Sequence, residues 1–120
     1  MGNDYKSKVP FDLRKQESER IKDQYPDRLP VVVEKNPMCK TLPNIDKKKF
    51  LVPKDLTIAQ FLYVVRKRLN IDSTQAIFLF STDNTLPTGS QEIQLVYNEL
   101  KDEDGFLYLF YSAESTFGDF

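Results

Sequence analysis

Apolar residues along this chain come either at helical spacing or in short continuous runs, and each change marks an element. From Pro10 to residue 24 the pattern is helical but thin. Phe11, Ser18, Ile21 and Tyr25 share one stripe, and Glu17 lies one turn before Ile21. Pro10 suits a first helical turn, and Tyr25-Pro26-Asp27 ends the helix because proline disfavours helix in the residue before it. Residues 29–34, Leu-Pro-Val-Val-Val-Glu, read as a strand, with Pro30 near its start where a missing N–H is tolerated. Asn36 to Asp46 carries two prolines and no period, so it reads as a loop. Lys49 to Val52 is a short second strand halted by Pro53.

Thr57-Ile58-Ala59-Gln60 has the form of a capping box, in which a hydroxyl and an amide satisfy the free N–H groups of a helix start. The helix is predicted to run to about Arg68, burying Ile58, Phe61, Leu62, Val65 and Leu69. Ala76 to Phe80 reads as a buried strand. Thr88 to Gln91 is a second expected capping box, ahead of Ile93, Val96, Tyr97 and Leu100 at helical spacing. Asp102 to Gly105 reads as a solvated turn, and Phe106 to Tyr111 as a strand at the centre of a sheet.

After residue 28 the order is β-β-α-β-α-β, the order of a β-grasp. The predicted class is α+β: a ubiquitin-like β-grasp with an additional N-terminal helical segment. Residues 1–120 are expected to form one domain, with 1–27 as the helical extension and 112–120 as a flexible tail. No apolar run approaches the roughly 18 residues of a membrane span. The start, Met1-Gly2-Asn3-Asp4-Tyr5-Lys6, misses the myristoylation pattern because Lys6 stands where Ser or Thr is required.

Composition removes much chemistry. The 120 residues contain no histidine and one cysteine, Cys39. There is no Ser-His or Cys-His nucleophile pair, no expected metal site and no intrachain disulfide. The expectation is a protein that is not an enzyme and needs no cofactor. The carboxylates Asp102, Glu103 and Asp104 are the remaining catalytic candidates, and such a run in a turn is usually solvated. Net charge is −1 but unevenly divided: residues 1–54 hold 13 Lys/Arg against 8 Asp/Glu, and residues 55–120 hold 4 against 10. The basic half suits acidic peptides or anionic lipid. It lacks the interleaved aromatics of a nucleic-acid stacking platform, so no nucleic-acid partner is expected.

The last residues, Thr116-Phe117-Gly118-Asp119-Phe120, add a chemical handle. Glycine lacks a Cβ and enters narrow channels, so a chain cut after Gly118 would present an accessible carboxylate. Together with Pro10-Phe11, Arg14-Lys15, Tyr25-Pro26-Asp27-Arg28, Pro30-Val31-Val32-Val33-Glu34-Lys35, Asp46-Lys47-Lys48-Lys49-Phe50-Leu51-Val52-Pro53, Asp55-Leu56-Thr57, Gln60-Phe61, Arg66-Lys67-Arg68 and Asp102-Glu103-Asp104-Gly105-Phe106-Leu107-Tyr108, this ending resembles the autophagy-related ubiquitin-like modifiers, the family of the GABA-A receptor-associated protein and the microtubule-associated light chain proteins.

The resemblance implies cleavage between Gly118 and Asp119 by a cysteine protease, then transfer by activating and conjugating enzymes to the amine of phosphatidylethanolamine. It implies attachment to autophagosomal membrane through that lipid, with cytoplasm before conjugation and vacuole or lysosome after delivery, and a monomer before lipidation. It also implies receptors that dock aromatic-x-x-aliphatic motifs along the edge strand at 49–52. Glu17, Ile21, Pro30, Lys49, Leu51 and Phe106 would line the aromatic pocket. Phe50, Val52, Pro53, Leu56, Phe61 and Val64 would line the aliphatic one. Arg28, Lys47 and Arg68, with Lys49, would meet acidic residues beside the motif. An unconjugated interaction module, with the groove but no tail chemistry, is the alternative. The segment 86–92 is more polar than is common in the family.

Overall fold

The computed structural model describes residues 4–114. Its elements are α1 (Asp4–Lys8), α2 (Phe11–Gln24), β1 (Arg28–Lys35), β2 (Lys49–Pro53), α3 (Ile58–Leu69), β3 (Phe78–Ser81), α4 (Ile93–Leu100) and β4 (Leu107–Ser112). The four strands form one sheet in the order β2-β1-β4-β3. β1 and β4 are central and parallel, and β2 and β3 lie antiparallel at the two edges. This is the expected β-grasp.

Alternation along the strands sends side chains to opposite faces. Leu29, Val31 and Val33 of β1, Phe50 and Val52 of β2, and Leu107, Leu109 and Tyr111 of β4 meet Ile58, Phe61, Val65, Ile93 and Val96 in the larger core cluster. The other face carries a smaller cluster: Ile21 of α2, with Val32, Phe106, Tyr108 and Phe110. Tyr5 of α1 packs against it. The N-terminal arm therefore lies on the sheet, in a short helix that the polar sequence of residues 4–8 gave no period to reveal.

The Thr57 capping box is formed. Thr57 Oγ1 accepts the Gln60 N–H at 3.2 Å, and Gln60 Oε1 accepts the Thr57 N–H at 2.9 Å. The helix closes on Asn70 in the left-handed region, φ 55°. The second expected box does not start a helix. Thr88 donates its N–H to Gln91 Oε1 at 3.0 Å, but α4 begins at Ile93, with Glu92 as an N-cap that makes no side-chain bond. The backbone there is already engaged: Ile58 donates to the Gln91 carbonyl and Ile93 to the Leu56 carbonyl, tying the starts of the two helices together.

Three further expectations are corrected. On α2 the buried positions are Arg14, Ser18 and Ile21, whereas Phe11 and Tyr25 are each 43% exposed. The loop after β1 forms as expected, and it buries Cys39, Leu42 and Ile45 in the larger core. β3 starts at Phe78 rather than Ala76, and β4 runs through Ser112, which is buried. The strand thus takes the first residue of the expected tail. Residues 115–120, with the expected cleavage and lipidation positions Gly118 and Asp119, lie outside the described residues.

Candidate functional site: the β2 edge and its two faces

Among the described residues, β2 has β1 on one side and no strand on the other. Its hydrogen-bond phase follows from one contact. Val33 donates to the Lys48 carbonyl at 2.8 Å, which makes Val33 and Lys48 a bonded pair. Bonded and non-bonded pairs alternate in an antiparallel ladder. The pairs Val32–Lys49 and Pro30–Leu51 are then non-bonded, and the N–H and C=O groups of Lys49 and Leu51 point to the open edge. Pro30 fits for the same reason: its ring nitrogen faces β4, where pairing begins one residue later at Val31. The outward carbonyl of Leu51 accepts from the Arg28 guanidinium at 3.3 Å.

The side chains of β2 divide between the two faces. Lys49 and Leu51 are exposed on the α2 side, and Phe50 and Val52 are buried on the α3 side. The twelve predicted pocket residues sort with them. Ile21, Pro30, Lys49, Leu51 and Phe106 belong to the α2 face, and Glu17 joins them through an ion pair of 2.6 Å with Lys49. Phe106 is fully buried and forms the floor. On the α3 face, the Phe50 and Phe61 rings meet edge to face at 5.6 Å, with Val52 beside them in the core. Leu56 and Pro53 are half-buried, and Val64 is exposed. The Leu56 main chain is fixed at both ends, its N–H on the Pro53 carbonyl at 3.2 Å and its carbonyl on the Ile93 N–H at 2.7 Å.

What places α2 against the sheet is polar. Arg14, 9% exposed, donates to Asp104 Oδ2 at 2.6 Å, and the Tyr108 hydroxyl donates to the same oxygen. Asp104 Oδ1 accepts the Phe106 N–H at 2.8 Å, and Ser18 donates to the Asp104 carbonyl. Burial and the adjacent carboxylate push the Tyr108 phenol up from its ordinary range. Gly105 sits at φ +92°, and a Cβ there would stand 2.3 Å from Ser18 Oγ. This network rivets α2 to the start of β4 and so sets the distance between Ile21 and Phe106. Of the three carboxylates expected to be solvated, Asp104 is fully buried, Asp102 is half-buried and paired with Lys6, and Glu103 is exposed.

The charged residues expected beside the groove are occupied by their own chain. Besides Arg28 on the Leu51 carbonyl, Lys47 Nζ stands 5.3 Å above the Phe50 ring, and Arg68 is bonded to Asp46 at 2.9 Å. An incoming carboxylate competes with exposed contacts worth about 0–1 kcal/mol each. Sequence reasoning did not find Tyr5 at this site. Its ring meets Phe106 at 5.6 Å, and Lys49 Nζ lies 5.4 Å above it. An aromatic in a polar pentapeptide was the available signal. Among the described residues no three His, Cys, Asp or Glu side chains are placed to hold a metal ion, and no helix is long and apolar enough to cross a membrane.

Comparison with known proteins agrees with the fold. Residues 13–118 match the family model described as autophagy protein Atg8, ubiquitin-like. The chain is 52% identical over 117 residues to autophagy-related protein 8e of Arabidopsis thaliana, covering 98% of this chain and 94% of the relative. It is 50% identical over 120 residues to autophagy-related protein 8 of Neurospora crassa, covering 100% and 98%. The crystal structure of Trypanosoma brucei ATG8 superposes with a TM-score of 0.90 at 38% identity, over 98% of this chain and 100% of that one. A β-grasp with this N-terminal extension, matched along nearly its whole length, belongs to the Atg8 family of ubiquitin-like autophagy modifiers.

Proposed function

We propose that this chain is a non-enzymatic, lipid-anchored tag. In this reading a cysteine protease hydrolyses the bond after Gly118, and an activating enzyme uses ATP to adenylate the new carboxylate, releasing pyrophosphate. The acyl group passes with loss of AMP to a conjugating-enzyme thiol and then, with loss of that thiol, to the amine of phosphatidylethanolamine; the β2 edge then recruits receptors to the autophagosomal membrane. The two acyl chains supply a stable anchor where one is marginal.

The observation that carries the recruitment half is a parity. Successive residues of an extended peptide point to opposite faces, so residues three apart point opposite ways and stand about 10 Å apart. An aromatic-x-x-aliphatic peptide added to β2 sends its aromatic side chain to one face of the sheet and its aliphatic side chain to the other. The candidate pockets are divided in that way, with Lys49 and Leu51 on the α2 face and Phe50 and Val52 on the α3 face. The aliphatic pocket reaches toward Pro53 and Leu56, the later end of β2, so the peptide runs parallel to the strand. Main-chain bonds to Lys49 and Leu51 supply affinity and the two pockets supply specificity.

The tail half rests on the family and on Gly118. The test is to incubate the full chain, a chain ending at Gly118, and Gly118→Ala with the family's protease, the activating and conjugating enzymes, ATP and phosphatidylethanolamine liposomes. The full chain and the Gly118-terminated chain are expected on the liposomes, the latter without the protease. Gly118→Ala is expected to stay soluble with its last two residues attached. A mature chain that keeps Asp119-Phe120 on autophagic membranes refutes conjugation and leaves the groove as the whole function.

A further inference from the structure

α1 buries none of its five residues, yet it is tied to the body at three places. Tyr5 donates its N–H to Glu34 Oε2 at 2.9 Å. Lys48 Nζ bridges Asp4 at 2.7 Å and Glu34 at 3.6 Å. Lys6 pairs with Asp102. These ties present one side chain to the groove. The Tyr5 ring stands edge-on to Phe106, 5.6 Å between centroids and 75° between planes. Lys49, whose ammonium lies over that ring, is also bonded to Glu17. Tyr5 thus touches the floor and one wall of the aromatic pocket. Beyond it, a hollow of about 400 Å³ opens between α1 and α2, with Tyr5, Leu13, Glu17 and Lys49 among its walls.

We infer that Tyr5 is a specificity-determining residue of the aromatic pocket: a wall carried by an ionically latched arm, which keeps the pocket closed to the α1–α2 hollow and so limits the size of the ring it admits. This rests on the docking reading above. A single ring has one small contact area, and the latch is made of partly exposed pairs that salt weakens. The wall is therefore removable without unmaking the core. With it gone, Phe106 and the hollow join, and the larger indole gains contact that the phenyl does not.

The experiment compares two acidic-flanked peptides, Trp-x-x-Leu and Phe-x-x-Leu, titrated calorimetrically into the full chain and its variants. Tyr5→Ala is expected to raise the Trp-to-Phe affinity ratio about fivefold, the scale on which an apolar pocket discriminates small size differences. Tyr5→Phe keeps the wall and is expected to leave the ratio unchanged. The double variant Asp4→Ala, Lys6→Ala retains the ring but cuts the latch, and is expected to shift the ratio the same way by less, with faster amide exchange confined to α1. An unchanged ratio in Tyr5→Ala, with both peptides still bound and both binding events lost in Leu51→Glu, overturns the role of Tyr5 and leaves the docking site standing. Failure of both peptides to bind the unaltered chain overturns the docking site itself, and the wall with it.

Discussion

The two faces of the sheet are held by different forces. The α3 face is a continuous apolar core in which α3, α4, all four strands and the loop after β1 meet. The α2 face has a cluster of only five buried apolar residues, and its helix is positioned by a buried ion pair, a phenol, a serine and an unhindered glycine. Apolar burial is non-directional and scales with area, whereas a charge-assisted bond fixes a distance and a direction. The α3 face therefore supplies stability, and the α2 face supplies placement. The groove proposed along β2 draws one wall from each kind, so in that reading its aliphatic pocket is set by packing and its aromatic pocket by polar geometry.

The sharpest way to break this contrast is to damage each face in turn and ask how far the damage spreads. Phe61 is 1% exposed and packs on Phe50. Phe61→Ala is expected to cost about 3–5 kcal/mol by denaturant titration and to weaken protection everywhere, β1 and β4 included. Asp104→Ala leaves Arg14 and Tyr108 buried without their acceptor and is expected to cost about 3 kcal/mol. Its hydrogen-exchange signature should differ: protection is lost first in α1 and α2 while the sheet amides stay slow. Equal loss in both elements and sheet would show that the two faces are one cooperative unit.

Smaller changes sharpen the contrast. Gly105→Ala forces a side chain into the left-handed region and against Ser18, and is expected to cost about 1–3 kcal/mol without touching the α3 face. Leu51→Glu sits at an exposed position, so stability should move by no more than about 0.5 kcal/mol. Binding of an aromatic-x-x-aliphatic peptide should fall at least about tenfold in a calorimetric titration, since one wall of the aromatic pocket becomes charged.

The smallest expected effect is a pH dependence. Glu34 is buried, with one carboxylate oxygen unpartnered and Asp4 nearby. Burial pushes its carboxyl above the ordinary value of 4.5, and the Tyr5 N–H and Lys48 offset this only in part. Across the sheet it stands opposite Phe110, which carries no charge. A carboxyl raised in the folded state binds its proton more tightly there than in the unfolded chain. Its ionisation therefore costs stability as pH rises through the window just above 4.5, and stability returns as pH falls through it. Glu34→Gln removes this contribution. Between pH 7 and pH 5 the unaltered chain should gain stability relative to Glu34→Gln, and parallel stability curves would contradict that sign.

Much of the outline was legible in the residues. The β-branched run at 29–34, the Thr57–Gln60 cap and the apolar run after Gly105 each announce an element locally, and all three formed. The Thr88–Gln91 box misled because its amide bond can close a turn as well as a helix, and the neighbouring backbone groups had other partners. Phe11 and Tyr25 misled because a helical stripe shows which residues share a side, not whether anything lies opposite. The twelve pocket residues came from resemblance. Read singly most of them are core residues, and only register and strand order bring them to one edge.

The sequence by itself determined the α+β class, the strand and helix order, and the absence of histidine-based chemistry, because periodicity, capping and composition act over a few residues or over none. Tertiary structure alone decided that Arg14 and Asp104 are partners 90 residues apart, that Tyr5 leans on Phe106, and that neighbouring residues of β2 serve opposite faces of an open edge. Such pairings depend on which segments the sheet brings side by side, and no local pattern records the address of a partner so far along the chain.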